Sequence, residues 1–236
     1  GWRGVFLFGG LVPLVIAVCM YLWLPESQQY QKPSAGVPLI RLFEGGRGAG
    51  TLLLWIANFM NLLNLYFLSN WLPTLVRDAG YSNQTAVLAG TTLQVGGSIG
   101  AICLGPVVAR YGFLRVLRGC STLACASIAM IGYPGLSITL LFGVIFLAGF
   151  GVPGGQAVIN ALSATYYPTE LRSTGVGAGL GVGRIGSIVG PLIGAQFLAM
   201  HWSNQQLFLA AAVPAAVALL VAISMQWVMP QASRAQ

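Results

Sequence analysis

Charge is what this chain lacks. Only four of its 236 residues are acidic (Glu26, Glu44, Asp78 and Glu170), and His201 is its single histidine. With 6% charged residues it cannot cover a water-facing surface of its size. One histidine, no CxxC pair and no carboxylate within an apolar run leave no donor set for a metal and no acid–base pair for catalysis, so the chain is not read as an enzyme and no metal or organic cofactor is expected. Cys19, Cys103, Cys120 and Cys125 fall in or beside apolar runs and read as small buried hydrophobes. The net charge of +7 comes from basic residues in short turns rather than along one face, which argues against a nucleic-acid partner.

What the chain has is apolar length. Hydrophobic residues make up 56%, and there are 32 glycines. Seven segments approach or exceed the length needed to cross about 30 Å of hydrocarbon: 5–24, 51–72, 86–108, 116–131, 136–160, 174–199 and 207–228. Length without two-residue alternation predicts an all-α integral membrane bundle. The first run is too long for a signal peptide and lacks a small-x-small cleavage site.

If 25–50 is cytoplasmic, that side collects Lys32, Arg41, Arg47, Arg110, Arg115, Arg118, Arg172 and Arg234, against Arg3 and Arg77 opposite. The positive-inside rule then puts the C-terminus in the cytoplasm and the first residue outside, and seven spans with an external start imply that helices precede them. Residues 25–50, rich in Pro, Gly, Ser and Gln, read as a linker between two bundles. The expected organisation is 1–24 as the last helix of one bundle, 25–50 as cytoplasmic linker and 51–236 as a six-helix bundle.

One cation falls in the middle of a run, whereas Arg118 stands at the start of 116–131. Arg184 lies in the middle of TGVGAGLGVGRIGSIVGPLIGA, residues 174–195. A charge at bilayer depth is costly and marks a partner, a cavity or a substrate. Gly175, Gly179, Gly183, Gly186, Gly190 and Gly194 recur every three or four residues, one stripe on a helix that lets a neighbour approach closely. Arg184 falls opposite, with Gly177, Gly181, Ser187 and Pro191.

Other polar residues in the spans are Asn58, Asn61, Asn64, Tyr66 and Ser69 in the second, Thr91, Gln94 and Ser98 in the third, and Gln156 and Asn160 in the fifth, beside a Gly151–Gly155 break. Amides are costly in lipid, so the second, third, fifth and sixth spans are expected to surround a wet cavity, with the first and seventh facing lipid. The three asparagines spread too widely around their helix for all to line one cavity. Gln156 and Asn160 suit either a substrate hydroxyl or helix-to-helix bonding. Trp55, Phe59 and Tyr66 read first as packing or interface aromatics.

Residues 105–115, GPVVARYGFLR, resemble the cytoplasmic G-x-x-x-D-R-x-G-x-R motif of the major facilitator superfamily. Gly105, Arg110, Gly112 and Arg115 match, and Ala109 stands where the pattern has aspartate. Pro25-Glu26-Ser27 is similar to the sequence closing helix six in many such transporters. Tyr166–Gly175, Gly183–Gly186, Gly190-Pro191, Gly154-Gly155-Gln156 and Asn160 resemble helices ten and eleven of the aromatic acid:proton symporters.

The resemblance covers the whole chain and implies the C-terminal half of a twelve-helix fold, from helix six to helix twelve, in a bacterial inner membrane. It implies proton-coupled uptake of small aromatic carboxylates such as hydroxybenzoates by alternating access. Arg184, Gln156, Asn160, Arg172, Asn58, Asn61 and Gln94 are then the candidate substrate-binding or gating residues. Protons are the coupling ion, and helices one to five are the missing partner carrying the coupling acids. Another organic anion, a sugar, or a truncated protein without transport remain alternatives.

Overall fold

The computed structural model describes residues 2–23, 39–133 and 135–229. The chain divides into two compact units, Gly1–Gly36 and Val37–Gln236. Within the first, α1 (Trp2–Trp23) is one apolar helix containing Pro13. Pro25-Glu26-Ser27, Lys32 and Arg234 lie outside the described residues.

The second unit is a helical bundle. A 3-10 turn (Leu39–Leu42) precedes α2 (Gly48–Asp78), α3 (Asn83–Tyr111), α4 (Phe113–Ile131), α5 (Ile138–Gly151), α6 (Pro153–Tyr166), α7 (Thr169–Ala199) and α8 (Asn204–Val228). The fifth apolar segment is thus a helix pair broken at Val152, where Pro153 has no N–H to continue the ladder. Taking that pair as one, seven helices among the described residues are long and apolar enough to span a membrane. At 31 residues, α2 and α7 are each about 46 Å long and project beyond the hydrocarbon core.

Helix starts follow local chemistry. Ser82, Ser137 and Ser203 accept from the N–H groups of Thr85, Leu140 and Gln206, satisfying donors the first turn leaves open. The link from α3 to α4 is a single residue, Gly112, at φ 80°. The arginine-bearing motif around it is therefore mostly helical: Gly105 and Arg110 lie on α3 and Arg115 on α4.

Two seams bring backbones together. Every glycine of the α7 stripe is buried. A Cβ at Gly186 would meet the Phe59 carbonyl of α2, one at Gly183 would come within 2.5 Å of Leu62, and one at Gly190 within 2.5 Å of the Leu63 oxygen. The second seam joins α3 to the broken pair, where Gly96 lies on the Phe146 carbonyl and Gly149 on the Leu93 carbonyl. At such contacts only a missing Cβ allows the approach, and dispersion across the seam replaces the hydrophobic drive that lipid removes.

The apolar core lies in two clusters. One gathers Leu68, Leu72, Leu93, Ile128, Ile145 and Phe208. The other, toward the arginine-rich end, gathers Leu54, Leu117, Ile159, Leu162, Tyr167 and Met225. Between them along α2 come Asn58, Asn61 and Asn64, all buried.

The seventh span does not simply face lipid. One face of α8 packs on α4 and α2, burying Phe208, Ala212, Ala215 and Ala222, while Val213, Leu220 and Trp227 are exposed. At the arginine-rich end, Thr51 donates to the Leu42 carbonyl (2.9 Å) and Tyr166 to that of Arg47 (2.9 Å), fastening the segment before α2 to the bundle. Glu170 and Asp78 lie in the first and last turns of α7 and α2, and Asp78 pairs with exposed Arg77 at 3.7 Å.

Candidate functional site

The polar side chains separate into a part-buried layer and an exposed cation. In the layer, Gln156 of α6 is the hub. Its amide nitrogen donates to Asn58 Oδ1 and to Asn160 Oδ1 (2.9 Å each), and its oxygen accepts from Asn61 Nδ2 (2.9 Å). Asn61 also donates to the Val152 carbonyl at the helix break (3.0 Å), and Asn58 to the Leu54 carbonyl (3.0 Å). Both donors and the acceptor of Gln156 are thereby occupied. These four candidates form a hydrogen-bonded network joining α2 to α6.

Asn64 turns elsewhere, as the spread around α2 requires. With its amide set to match its neighbours, it donates to the Ala211 carbonyl (2.7 Å) and accepts from Ala215 N–H (3.0 Å). It bridges one step of the α8 ladder beside Pro214 and acts as bundle glue.

Arg184 occupies the midpoint of α7, on the side away from the glycine seam, and is exposed. Nη1 donates to the Tyr66 hydroxyl of α2 at 2.8 Å. That is the only hydrogen bond of the guanidinium among the described residues, and its remaining N–H groups are free to take a planar acceptor. Around it, Gly177 and Gly181 leave open space, with no atom within 4 Å of a Cβ built on either. A cation held at one corner, beside two positions without side chains, matches the bidentate geometry of a carboxylate.

Tyr66 is the residue that sequence patterning assigned to packing and the structure assigns to Arg184. Its only signal in the sequence is a hydroxyl in a span otherwise rich in amides. Trp71, one turn further along α2, donates from Nε1 to the Pro191 carbonyl (3.1 Å) and pins the same helix pair.

The other candidates stand apart. Gln94 is exposed on α3 and joins neither the amide layer nor Arg184, and the hydroxyls of Thr91 and Ser98 donate to carbonyls of their own helix. Arg172 is exposed in the first turn of α7 near Glu170. Arg110 lies over the Tyr111 ring at 5.4 Å.

Comparison with known proteins decides the family. The sequence profile described as Major Facilitator Superfamily matches residues 54–236. The chain belongs to the major facilitator superfamily. It is a multi-pass membrane protein, its spans are those of the C-terminal half of the twelve-helix fold, and it is not an enzyme.

A 4-hydroxybenzoate transporter, PcaK, of Pseudomonas aeruginosa is 36% identical over 92% of this chain and 56% of its own length. A gallate transporter of Pseudomonas putida is 34% identical over 95% of this chain and 57% of its own. A 3-(3-hydroxy-phenyl)propionate transporter of Escherichia coli is 35% identical over 84% and 49%. The chain thus spans about half the length of the curated relatives it matches.

Proposed function

We propose that this chain forms the C-terminal part of a secondary transporter that takes up small aromatic carboxylates, hydroxybenzoates among them, with protons as the coupling ion. The observation carrying this reading is Arg184: an exposed guanidinium at mid-span, bonded to Tyr66 alone among the described residues and flanked by glycines. The relatives, whose names specify aromatic acids with ring hydroxyls, support the substrate class.

In this mechanism Arg184 pairs with the carboxylate, and Tyr66 holds the guanidinium in orientation. Gln156, Asn58, Asn61 and Asn160 keep the α2–α6 contact rigid, and an amide of the layer exchanges a partner for a ring hydroxyl during transport. Arg172, Gln94 and the Gly105, Arg110, Gly112, Arg115 motif act in gating between the two halves. The site completes itself against helices one to five, and the two halves rock about it.

Proton coupling belongs to those preceding helices. Among the described residues the carboxylates Glu44, Asp78 and Glu170 all lie at or beyond helix ends, where they cannot carry a proton at mid-membrane depth. Arg41, Arg47, Arg110, Arg115, Arg118 and Arg172 cluster at one end of the bundle and Arg77 at the other. That asymmetry supports a reading in which the arginine-rich end, and the end of α8 with it, faces the cytoplasm of a bacterial inner membrane.

The test is uptake of labelled 4-hydroxybenzoate by cells expressing the full-length transporter, with and without a protonophore. Uptake that the protonophore abolishes and unlabelled benzoates compete supports the reading. Uptake competed by sugars but not by benzoates, or no uptake at all, overturns it.

A further inference from the structure

At the arginine-rich end of the bundle, where α3 passes into α4 and α8 finishes, Tyr111, Gly112, Arg115, Arg118, Gln226 and Trp227 line a cavity of about 370 Å³. Arg118 is fixed in its wall. Nε donates to the Leu114 carbonyl (3.2 Å) and Nη1 to Gln226 Oε1 (3.0 Å), which leaves the Nη2 donors over. Arg115, one turn earlier on α4, is exposed and makes no hydrogen bond or ion pair among the described residues. Among the described residues no acidic side chain lines the space, where the two guanidiniums have no counter-charge.

Beside the cavity, across Tyr111 and Arg115, lies a second space of different chemistry. Leu104, Val107, Val116, Gly119, Leu123 and Phe150 line an apolar groove of about 310 Å³ that shares Tyr111 and Arg115 with the first. Gly119 keeps the groove open, since nothing lies within 4 Å of a Cβ built there. Trp227 is 79% exposed and Tyr111 47%, aromatic residues at helix ends where hydrocarbon gives way to headgroups. A dianionic pocket ligand without an apolar tail would leave the groove empty, and a neutral lipid would leave the arginines unpaired. An amphiphile with a phosphate head and an acyl chain fits both.

We propose that this is a binding site for an anionic phospholipid, with the headgroup phosphate between Arg115 and Arg118 and an acyl chain along the α3–α4 groove. The site is separate from Arg184; it shares Gly112 and Arg115 with the loop motif assigned above to gating, and its test reads lipid binding rather than transport. Its effect is to hold the single-residue joint at Gly112, and so the relative setting of α3 and α4, to the membrane surface.

The experiment uses the purified full-length transporter in detergent, titrated with short-chain phosphatidylglycerol, phosphatidylcholine of equal chain length, or inorganic phosphate, and followed by thermal shift and native mass spectrometry. Phosphatidylglycerol is expected to bind and raise the melting temperature, while the other two do not. Arg115→Gln, which removes no bond within the protein, is expected to weaken phosphatidylglycerol about fivefold, a typical contribution of one basic residue at an anionic lipid surface. Gly119→Phe is expected to weaken it by filling the groove with both arginines intact. Equal binding of the two lipids, an equal effect of inorganic phosphate, or unchanged affinity in both variants, each with an unaltered melting temperature in detergent alone, overturns the proposal.

Discussion

Gly186→Ala tests the helix seam that presents Arg184. A Cβ on Gly186 falls inside contact distance of the Phe59 carbonyl oxygen, 3.1 Å from its carbon and 3.3 Å from Leu63 N. All three are backbone atoms of α2, so no side chain can swing away. Carbon atoms rest about 3.5–4.0 Å apart, so α2 and α7 must part by about 0.5–1 Å along the seam. Overpacking of this kind costs about 1–3 kcal/mol. At about 2–4 °C per kcal/mol for a domain of this size, the melting temperature falls by about 4–8 °C at the middle of that range.

Gly181→Ala is the internal control, since the same helix there meets open space. Alanine is the better helix former by up to about 1 kcal/mol, so Gly181→Ala leaves the melting temperature unchanged or slightly raised. The assay is thermal unfolding of the purified full-length transporter in one detergent, with 4-hydroxybenzoate uptake measured in parallel. Equal losses in the two variants, or no loss in Gly186→Ala, would refute the seam as the origin of the close approach.

Three further outcomes follow from the same contacts. Gln156→Leu removes the hub and leaves Asn58 Oδ1 and Asn160 Oδ1 without their donor, while Asn61 keeps the Val152 carbonyl; at about 1–3 kcal/mol for a buried unsatisfied group, thermal shift should record a loss larger than for Asn160→Ala. Gly112→Ala forces a side chain onto φ 80° and should cost about 1–3 kcal/mol in the same assay, a loss that Gly105→Ala, in open space, does not share. Tyr66→Phe removes the anchor of Arg184 with little change of volume, so uptake kinetics should show a raised KM with stability retained; an unchanged KM would separate Tyr66 from substrate binding.

How much of this was legible in the sequence differs by residue. The bundle and its spans followed from apolar length, and the α7 stripe from a three-or-four residue recurrence, because a helix turns periodicity directly into a face. The Gly151–Gly155 break likewise announced itself by Pro153. The partner of Arg184 did not: Tyr66 is 118 positions away, and only the register of α2 against α7 brings the two together. The amides illustrate the same limit. Composition said that Asn58, Asn61 and Gln156 must avoid lipid, but it did not say that they bond to one another, which depends on how α2 and α6 are paired. The α3 seam at Gly96 and Gly100 was present as a small-xxx-small pattern, less conspicuous than the longer stripe. Apolar composition also could not show that α8 turns a small-residue face inward, since in lipid a buried and an exposed face can be equally apolar.

The central claim is that Arg184 binds the substrate carboxylate, and the most direct measurement is calorimetric titration of 4-hydroxybenzoate into the purified full-length transporter carrying Arg184→Ala. A charged hydrogen-bonded pair contributes about 1.5–3 kcal/mol, so affinity should fall about ten- to a hundredfold, with Arg184→Lys recovering only part of it and thermal stability close to the parent's. An Arg184→Ala protein that is stably folded and binds 4-hydroxybenzoate as tightly as the parent would contradict the claim.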